Sequence, residues 1–279
     1  MSFILGMDTG GTYTDAVIID AKDRKVLCKA KALTTKDDLT TGIKNCLDQL
    51  AFDRLEEITL ISLSTTLATN AIVEGRGGRV ALLYMGAELE DAVPAAKSIR
   101  IRGAFDIMGR QKEALEEEEV RRVLESLKGK VDAVAISGYA SVRNPKHEQE
   151  AAKIAEDVLG VPVICAHHLS TALGFYHRTV TAVLNGRLIS IIDDLLASTR
   201  RVLKEKGISG SIMVVKGDGT LMTEKLAGQR PVETILSGPA ASVIGGLALT
   251  GQKDGIVVDM GGTTTDIAEV SGGSVKIRR

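Results

Sequence analysis

The chain has 279 residues, enough for two domains that each bury a core. Its 35 basic and 36 acidic side chains leave a formal net charge of −1, so bulk charge draws it toward neither nucleic acid nor a membrane surface. Aromatic residues make up 3% with no Trp, which disfavours base-stacking platforms, and no apolar run reaches the roughly 18 residues of a membrane-spanning helix.

In chain order, residues 3–8, 14–20 and 25–33 read as three strands, with Ala21-Lys22-Asp23-Arg24 as a turn. Residues 36–49 read as a helix, because Leu39, Ile43, Cys46, Leu47 and Leu50 recur at helical spacing. A strand at 58–63, a helix at 65–74 closed by Gly75 and a strand at 79–84 follow. Residues 113–128 form a charged amphipathic helix, and 133–137 a buried strand. Asn144-Pro145 opens the helix 146–159, and 162–166 is a short strand. Strand–helix alternation over 58–166 argues for an α/β domain with a partly parallel sheet. Residues 171–206 read as one or two long helices, with Gly186 as a candidate break. A strand at 212–216, the turn Gly217-Asp218-Gly219 and an apolar helix at 240–249 lead to a last set of strands over 256–277.

One phrase occurs twice. Residues 8–15 read DTGGTYTD and residues 259–266 read DMGGTTTD, identical at six of eight positions. Each copy follows and precedes a short apolar run, giving strand, Gly-rich turn, strand. Gly10-Gly11 and Gly261-Gly262 let the backbone bend sharply and approach a ligand closely. Successive amides in such a turn form an anion site. Thr12, Thr14, Thr263 and Thr264 can add hydroxyl donors around a phosphate. Asp8 and Asp259 end their strands just before the turn, where carboxylates suit Mg²⁺. A lone copy could be an ordinary hairpin turn; two copies in register argue for a phosphate grip. Because the turn leads into a strand, a dinucleotide fingerprint fits less well.

The duplicated turn resembles that of the actin, heat-shock ATPase and sugar-kinase superfamily, in which two ribonuclease-H-like domains hold ATP·Mg²⁺ between them. Segments between the copies narrow the likeness. Residues 64–71 (STTLATNA), Gly109-Arg110-Gln111, Arg143-Asn144-Pro145-x-His147-Glu148, Arg178-Thr179 with Asn185, and residues 231–241 (PVETILSGPAA) resemble the hydantoinase/oxoprolinase family in order. That resemblance implies an actin-type α/β ATPase fold, with residues 1–170 as an N-terminal α/β domain carrying the first phosphate loop. Residues 171–279 would be connecting helices and the second loop, the beginning of a second domain. With 13 residues past the second copy, a truncated chain or a fragment completed by a partner is expected.

The implied activity is an ATP-dependent hydrolase that activates a small cyclic amide or carbonyl substrate by phosphoryl transfer. Alternatives are a carboxylase subunit, or an ATPase that activates another enzyme. ATP and Mg²⁺ are the implied cofactors, and the partners a nucleotide, a small molecule, and a partner subunit or second copy. Asp8 and Asp259 are the expected metal and catalytic carboxylates. Asp15 and Asp266 would orient a water or cap their own turns. Ser64, Thr65, Thr66, Asn70 and Arg110 are candidate substrate contacts, with a helix cap and a surface salt bridge as the plainer readings. Departures from the family pattern fall at Leu63-Ser64, at His168 and at His177. His167, His168 and His177 could bind a metal, but no supporting carboxylate spacing is visible, so solvent or core histidines are the favoured reading. Cys28, Cys46 and Cys165, odd in number and without a CxxC, argue against disulfides and fit a reducing cytoplasm.

Overall fold

The computed structural model describes residues 2–35, 37–260 and 265–275, which form a mixed α/β fold in two compact units. The first unit comprises residues 1–74 and 191–279, and the second residues 75–190. The boundary expected near residue 170 therefore falls inside the second unit.

The chain opens with strands β1 (Phe3–Thr9), β2 (Tyr13–Asp20) and β3 (Val26–Leu33), a meander with antiparallel pairing. Period-two alternation explains the burial of Phe3, Leu5 and Met7 on β1 and Ala16 and Ile18 on β2. Helix α1 (Leu39–Asp48) starts where Asp38 accepts the amide of Thr40, and it packs on β2 and β3. Its apolar stripe, Ile43, Cys46 and Leu47, is buried. Strand β4 (Ile58–Thr65) then returns parallel to β1 and runs into the short helix α2 (Leu67–Val73).

The second unit carries β5 (Val80–Met85), β6 (Lys97–Arg100), the two-stranded pair β7 (Ala104–Phe105) and β8 (Gln111–Glu113), and α3 (Glu117–Glu125). The helix expected from residue 113 starts at Glu117 instead, and Glu113 ends the strand that pairs with β7. Next come β9 (Ala133–Gly138), α4 (Lys146–Leu159), β10 (Val163–Cys165) and the one-turn α5 (Ala166–Leu169). The sheet order is β10-β9-β5-β6, parallel throughout. Every residue of β9 is buried, as both-faced cover requires. Ala81, Leu83 and Ile136 face Val120 and Leu124 of α3 and Ile154 of α4; Val80, Leu82 and Ala135 face Ala182 and Val183.

Those last two residues belong to α6 (Phe175–Glu205), a single 31-residue helix whose first part lies in the second unit and whose remainder lies in the first. Gly186 does not break it. A Cβ there would stand 3.1 Å from Val80 Cγ2 and 3.2 Å from Ile164 Cδ1, so glycine serves the helix's close approach to the sheet.

In the first unit the chain continues through β11 (Ser211–Val215), β12 (Leu221–Thr223), α7 (Glu224–Gln229), α8 (Ser237–Thr250), β13 (Gly255–Met260), β14 (Thr265–Ser271) and β15 (Ser274–Val275). The six-stranded sheet has the order β12-β11-β4-β1-β2-β3. The sequence reading lacked β12 and α7; β12 is three residues long, and Thr223 ends it by capping α7, its hydroxyl accepting from the amide of Leu226. A separate three-stranded sheet, β13-β14-β15, holds the second copy of the repeat, and α8 packs on β13.

Gly186→Leu gains up to about 1 kcal/mol of helix propensity but overpacks the contact with Val80 and Ile164, at a cost of about 1–3 kcal/mol. The expected result is net destabilisation, read as a lower urea midpoint; a midpoint equal to or above that of the parent would show that the close approach is not constraining.

Candidate functional site

The two copies of the repeat adopt the same hairpin register. Asp8 pairs with Asp15 and Thr9 with Thr14 across β1–β2; Asp259 pairs with Asp266 and Met260 with Thr265 across β13–β14. The first turn is closed by the amide of Gly10 donating to Tyr13 O at 2.9 Å. Gly261, Gly262, Thr263 and Thr264, expected as the second turn, lie outside the described residues.

Parallel pairing of β1 with β4 sets Asp8 beside Ser64 and Thr9 beside Thr65. Ser64 Oγ donates to Asp8 Oδ1 at 2.6 Å. Thr65 is wholly buried; its hydroxyl donates to Thr9 O at 2.7 Å and accepts the amide of Leu67 at 3.0 Å, stapling the turn to the start of α2. Thr66 and Asn70 remain part-exposed beside the glycines. A Cβ on Gly11 would stand 3.0 Å from Asn70 Nδ2, and one on Gly10 would stand 3.4 Å from Thr66 Oγ1.

The start of α8 closes the same place. Ser237 Oγ donates to Thr65 O at 2.9 Å and accepts from Thr65 N at 3.2 Å. A Cβ on Gly238 would lie 2.8 Å from Thr66 Cγ2 and 3.9 Å from Asp8 Oδ1. Leu236, just before the helix, has φ 62°, a left-handed conformation rare for a branched side chain, and its amide donates to Thr69 Oγ1 at 3.0 Å. Strain of this kind costs roughly 1–2 kcal/mol. Five residues after Ser237 on α8 stands Ser242, whose hydroxyl donates to Asp259 Oδ2. Four chain segments thus converge on the first Gly turn and on two carboxylates.

Burial raises the Asp8 carboxyl above the ordinary carboxylate range; the hydrogen bond from Ser64 opposes this, and the charges of Asp15 and Asp259 add to it. The charge of Lys31 opposes the rise, and Lys31 pairs with Asp15 at 3.1 Å. The site carries an excess of negative charge, an arrangement a bound cation relieves. A groove of about 1100 Å³ runs from Asp8, Asp15, Ser62 and Ser64 past Lys31 to the apolar Val215 and Leu249.

Among the other expected residues, Thr12 is exposed at the turn. Thr14 is turned inward, fully buried, with its hydroxyl 2.9 Å from Thr34 Oγ1, because it occupies the core-facing position opposite Thr9. Asp266 is part-exposed on β14. Arg110 belongs to the second unit, where its exposed guanidinium stands 3.7 Å from Asp106. Sequence reasoning assigned no bonding role to Ser237 or Ser242. The Ser-Gly-Pro start of α8 was visible; its partner, more than 170 positions away in the chain, was not.

Residues 4–159 match the hydantoinase/oxoprolinase N-terminal region and residues 178–279 match hydantoinase/oxoprolinase. The chain is 29% identical to the caprolactamase alpha subunit of Pseudomonas jessenii, over 96% of this chain and 43% of that protein. It is 28% identical to the acetophenone carboxylase gamma subunit of Aromatoleum aromaticum, over 98% of this chain and 43% of that protein. The crystal structure of ATP-dependent caprolactamase from Pseudomonas jessenii superimposes with a TM-score of 0.74 at 27% identity, covering 95% of this chain and 43% of that one. The chain thus spans less than half the length of these relatives. It belongs to the hydantoinase/oxoprolinase family.

Two outcomes follow from the geometry. Because the folded state raises the Asp8 carboxyl, it binds more protons than the unfolded state, so ionised Asp8 costs stability as pH rises through the folded value. Asp8→Asn is expected to raise the denaturation midpoint at neutral pH, with the gain shrinking on acidification and gone below the ordinary carboxylate range; a constant gain across pH contradicts the assignment. Ser237→Ala leaves the Thr65 amide without its partner and is expected to cost about 1–3 kcal/mol in chemical denaturation.

Proposed function

We propose that this chain is the nucleotide-binding part of an ATP-dependent hydrolase acting on a small cyclic amide or related carbonyl compound. The observation that carries the reading is the duplicated hairpin, which presents Asp8 and Asp259 in the same register and close enough for the charge of one to act on the other. An actin-type ATPase fold, with two ribonuclease-H-like halves, is part of this proposal. It is supported by the β3-β2-β1-β4-β11 strand order, three antiparallel strands followed by parallel ones, and by the repetition of the hairpin.

Mg²⁺ fits the excess carboxylate charge, and would be held by Asp8 and Asp259 with the γ-phosphate oxygens and waters. When bound, ATP·Mg²⁺ would supply the phosphoryl group that turns an unreactive amide or carbonyl oxygen into a leaving group. The chain's own residues then have three tasks. The Gly11 amide and the Thr12 hydroxyl would cradle phosphate oxygens, while the Gly10 amide closes the turn on Tyr13 O. The Ser64 hydrogen bond favours the ionised form of Asp8 against the larger effect of burial, and orients the carboxylate. Thr66 and Asn70 line the turn where a phosphate or the substrate oxygen would sit, while Thr65 and Ser237 hold the segments in place. Catalysis by positioning and charge neutralisation is what phosphoryl transfer requires. Asp15, tied to Lys31, and Asp266 are the candidates for orienting a water. The residues of the second turn, Gly261 to Thr264, would grip the phosphates from the other copy of the motif.

A second reading is an ATP-dependent carboxylase subunit, favoured by the likeness to the acetophenone carboxylase gamma subunit. Both relatives are named as subunits, which supports a partner subunit for this chain. A cytoplasmic location suits three free cysteines.

The deciding measurement is Mg²⁺-dependent ATP hydrolysis by this chain, alone and with its neighbouring subunit, in the presence of lactams and hydantoins or of ketones with bicarbonate. Stimulation by cyclic amides supports the hydrolase; stimulation by a ketone with bicarbonate supports the carboxylase; hydrolysis blind to both sets defeats both. Asp8→Asn and Asp259→Asn are each expected to weaken Mg²⁺·ATP binding on the order of 10-fold or more, as losing a charge-assisted contact does. Unchanged affinity in both variants, by calorimetry, would remove the metal role.

A further inference from the structure

We propose that Glu148, Cys165 and His167 form a binding site for one soft divalent cation of the Zn²⁺ class, built wholly within the second unit. The three come from different elements: Glu148 from the first turn of α4, Cys165 from the end of β10 and His167 from α5. Parallel pairing of β10 with β9, which sets Cys165 beside Ile136, and the packing of α4 on both strands bring them together. One carboxylate oxygen, one sulfur and one ring nitrogen lie within 4.8 Å of one another. Ligands around a single tetrahedral ion at 2.0–2.3 Å stand roughly 3–4 Å apart, so modest side-chain adjustment suffices.

The surroundings have the features of a metal-ligand shell. Glu148 Oε1 accepts the amide of Gly138 at 2.7 Å and Oε2 accepts the amide of His167 at 3.1 Å, which orients the carboxylate and leaves lone pairs on both oxygens. His167 Nδ1 stands 2.5 Å from Glu148 Oε2, so in the ion-free state a proton occupies the place a cation would take. A thiolate and a carboxylate together cancel a double positive charge, and a neutral cluster suits a place where Glu148 is 1% and Cys165 6% exposed. Burial, with the charges of Glu148 and Glu156, pushes the Cys165 thiol up to about 12. A coordinated divalent ion reverses that effect. Part-exposed His167 leaves a side open for entry and for a fourth ligand such as water. Sulfur with imidazole selects Zn²⁺ or Co²⁺ over Mg²⁺ and Ca²⁺.

The competing account is a purely hydrogen-bonded node. Arg178 Nη2 donates to Gly138 O at 2.8 Å while Gly138 N donates to Glu148, so a buried cation and anion are joined through the backbone of one residue. That accounts for Glu148, but it gives Cys165 no part beyond a weak 3.7 Å contact with Glu148 O.

The test uses the full 279-residue chain, stripped with chelator, titrated with Co²⁺ and then challenged with Zn²⁺. The expected result is one equivalent of Co²⁺ with a thiolate-to-cobalt charge-transfer band, displaced by Zn²⁺. Cys165→Ser should abolish the band, His167→Ala should weaken binding on the order of 100-fold, and His168→Ala should leave both unchanged. Circular dichroism verifies the folding of each variant; should Cys165→Ser fail to fold, His167→Gln provides the same comparison. Absence of the charge-transfer band, or its survival in Cys165→Ser or in the folded His167 variant, overturns the proposal in favour of the hydrogen-bonded node.

Discussion

The register of β1 against β4 is the constraint on which the first unit's site depends. With Asp8 opposite Ser64 and Thr9 opposite Thr65, one strand pair delivers a carboxylate, its hydroxyl donor and the staple that joins the Gly turn to α2. Slipping that pairing by one residue would send Asp8 and Ser64 to opposite faces, since side chains alternate with period two. The slip is resisted by the burial of Phe3, Leu5 and Met7 on one strand and Ile61 and Leu63 on the other. It is also resisted by Thr65, whose backbone and side chain bind Thr9, Leu67 and Ser237 at once. Core packing and site geometry are therefore one specification.

Much of this was legible in the sequence where the signal is local. Strand-like runs marked β1 to β3, the 3.6-residue period marked α1, and Asn144-Pro145 marked the start of α4, whose bounds Lys146–Leu159 the sequence reading matched. The repeat disclosed two hairpins before any register was known. What stayed hidden depends on distant residues. Gly186 reads as a helix breaker by propensity, yet its role is set by Val80 and Ile164 on strands brought beneath α6 by the sheet. Thr14 looks like a turn hydroxyl until pairing with Thr9 turns it toward the core. Short β12 lacks enough residues to show a period. In the second unit, a search for carboxylates near His167 along the chain finds none at metal-ligand spacing, because Glu148 arrives across α4 packing instead.

The first unit also tolerates costs that a purely structural turn would not require. Asp8 is held ionisable at a part-buried position beside two other carboxylates, where apolar or amide side chains would be more stable. Leu236 adopts a left-handed conformation in which glycine would be unstrained, in the residue that leads into the α8 start. Its neighbour Gly238 comes so close to Thr66 that any side chain would collide. Electrostatic repulsion, backbone strain and close backbone approach are independent penalties, and each alone is common in folded proteins. Their concentration within a few residues of the same Gly turn is the pattern of a site preorganised for a ligand rather than of a loop optimised for stability. A cation between Asp8 and Asp259 and a phosphate against the turn would offset the first of these penalties directly. The other two hold the start of α8 against the turn, and so fix the geometry that such a ligand would meet.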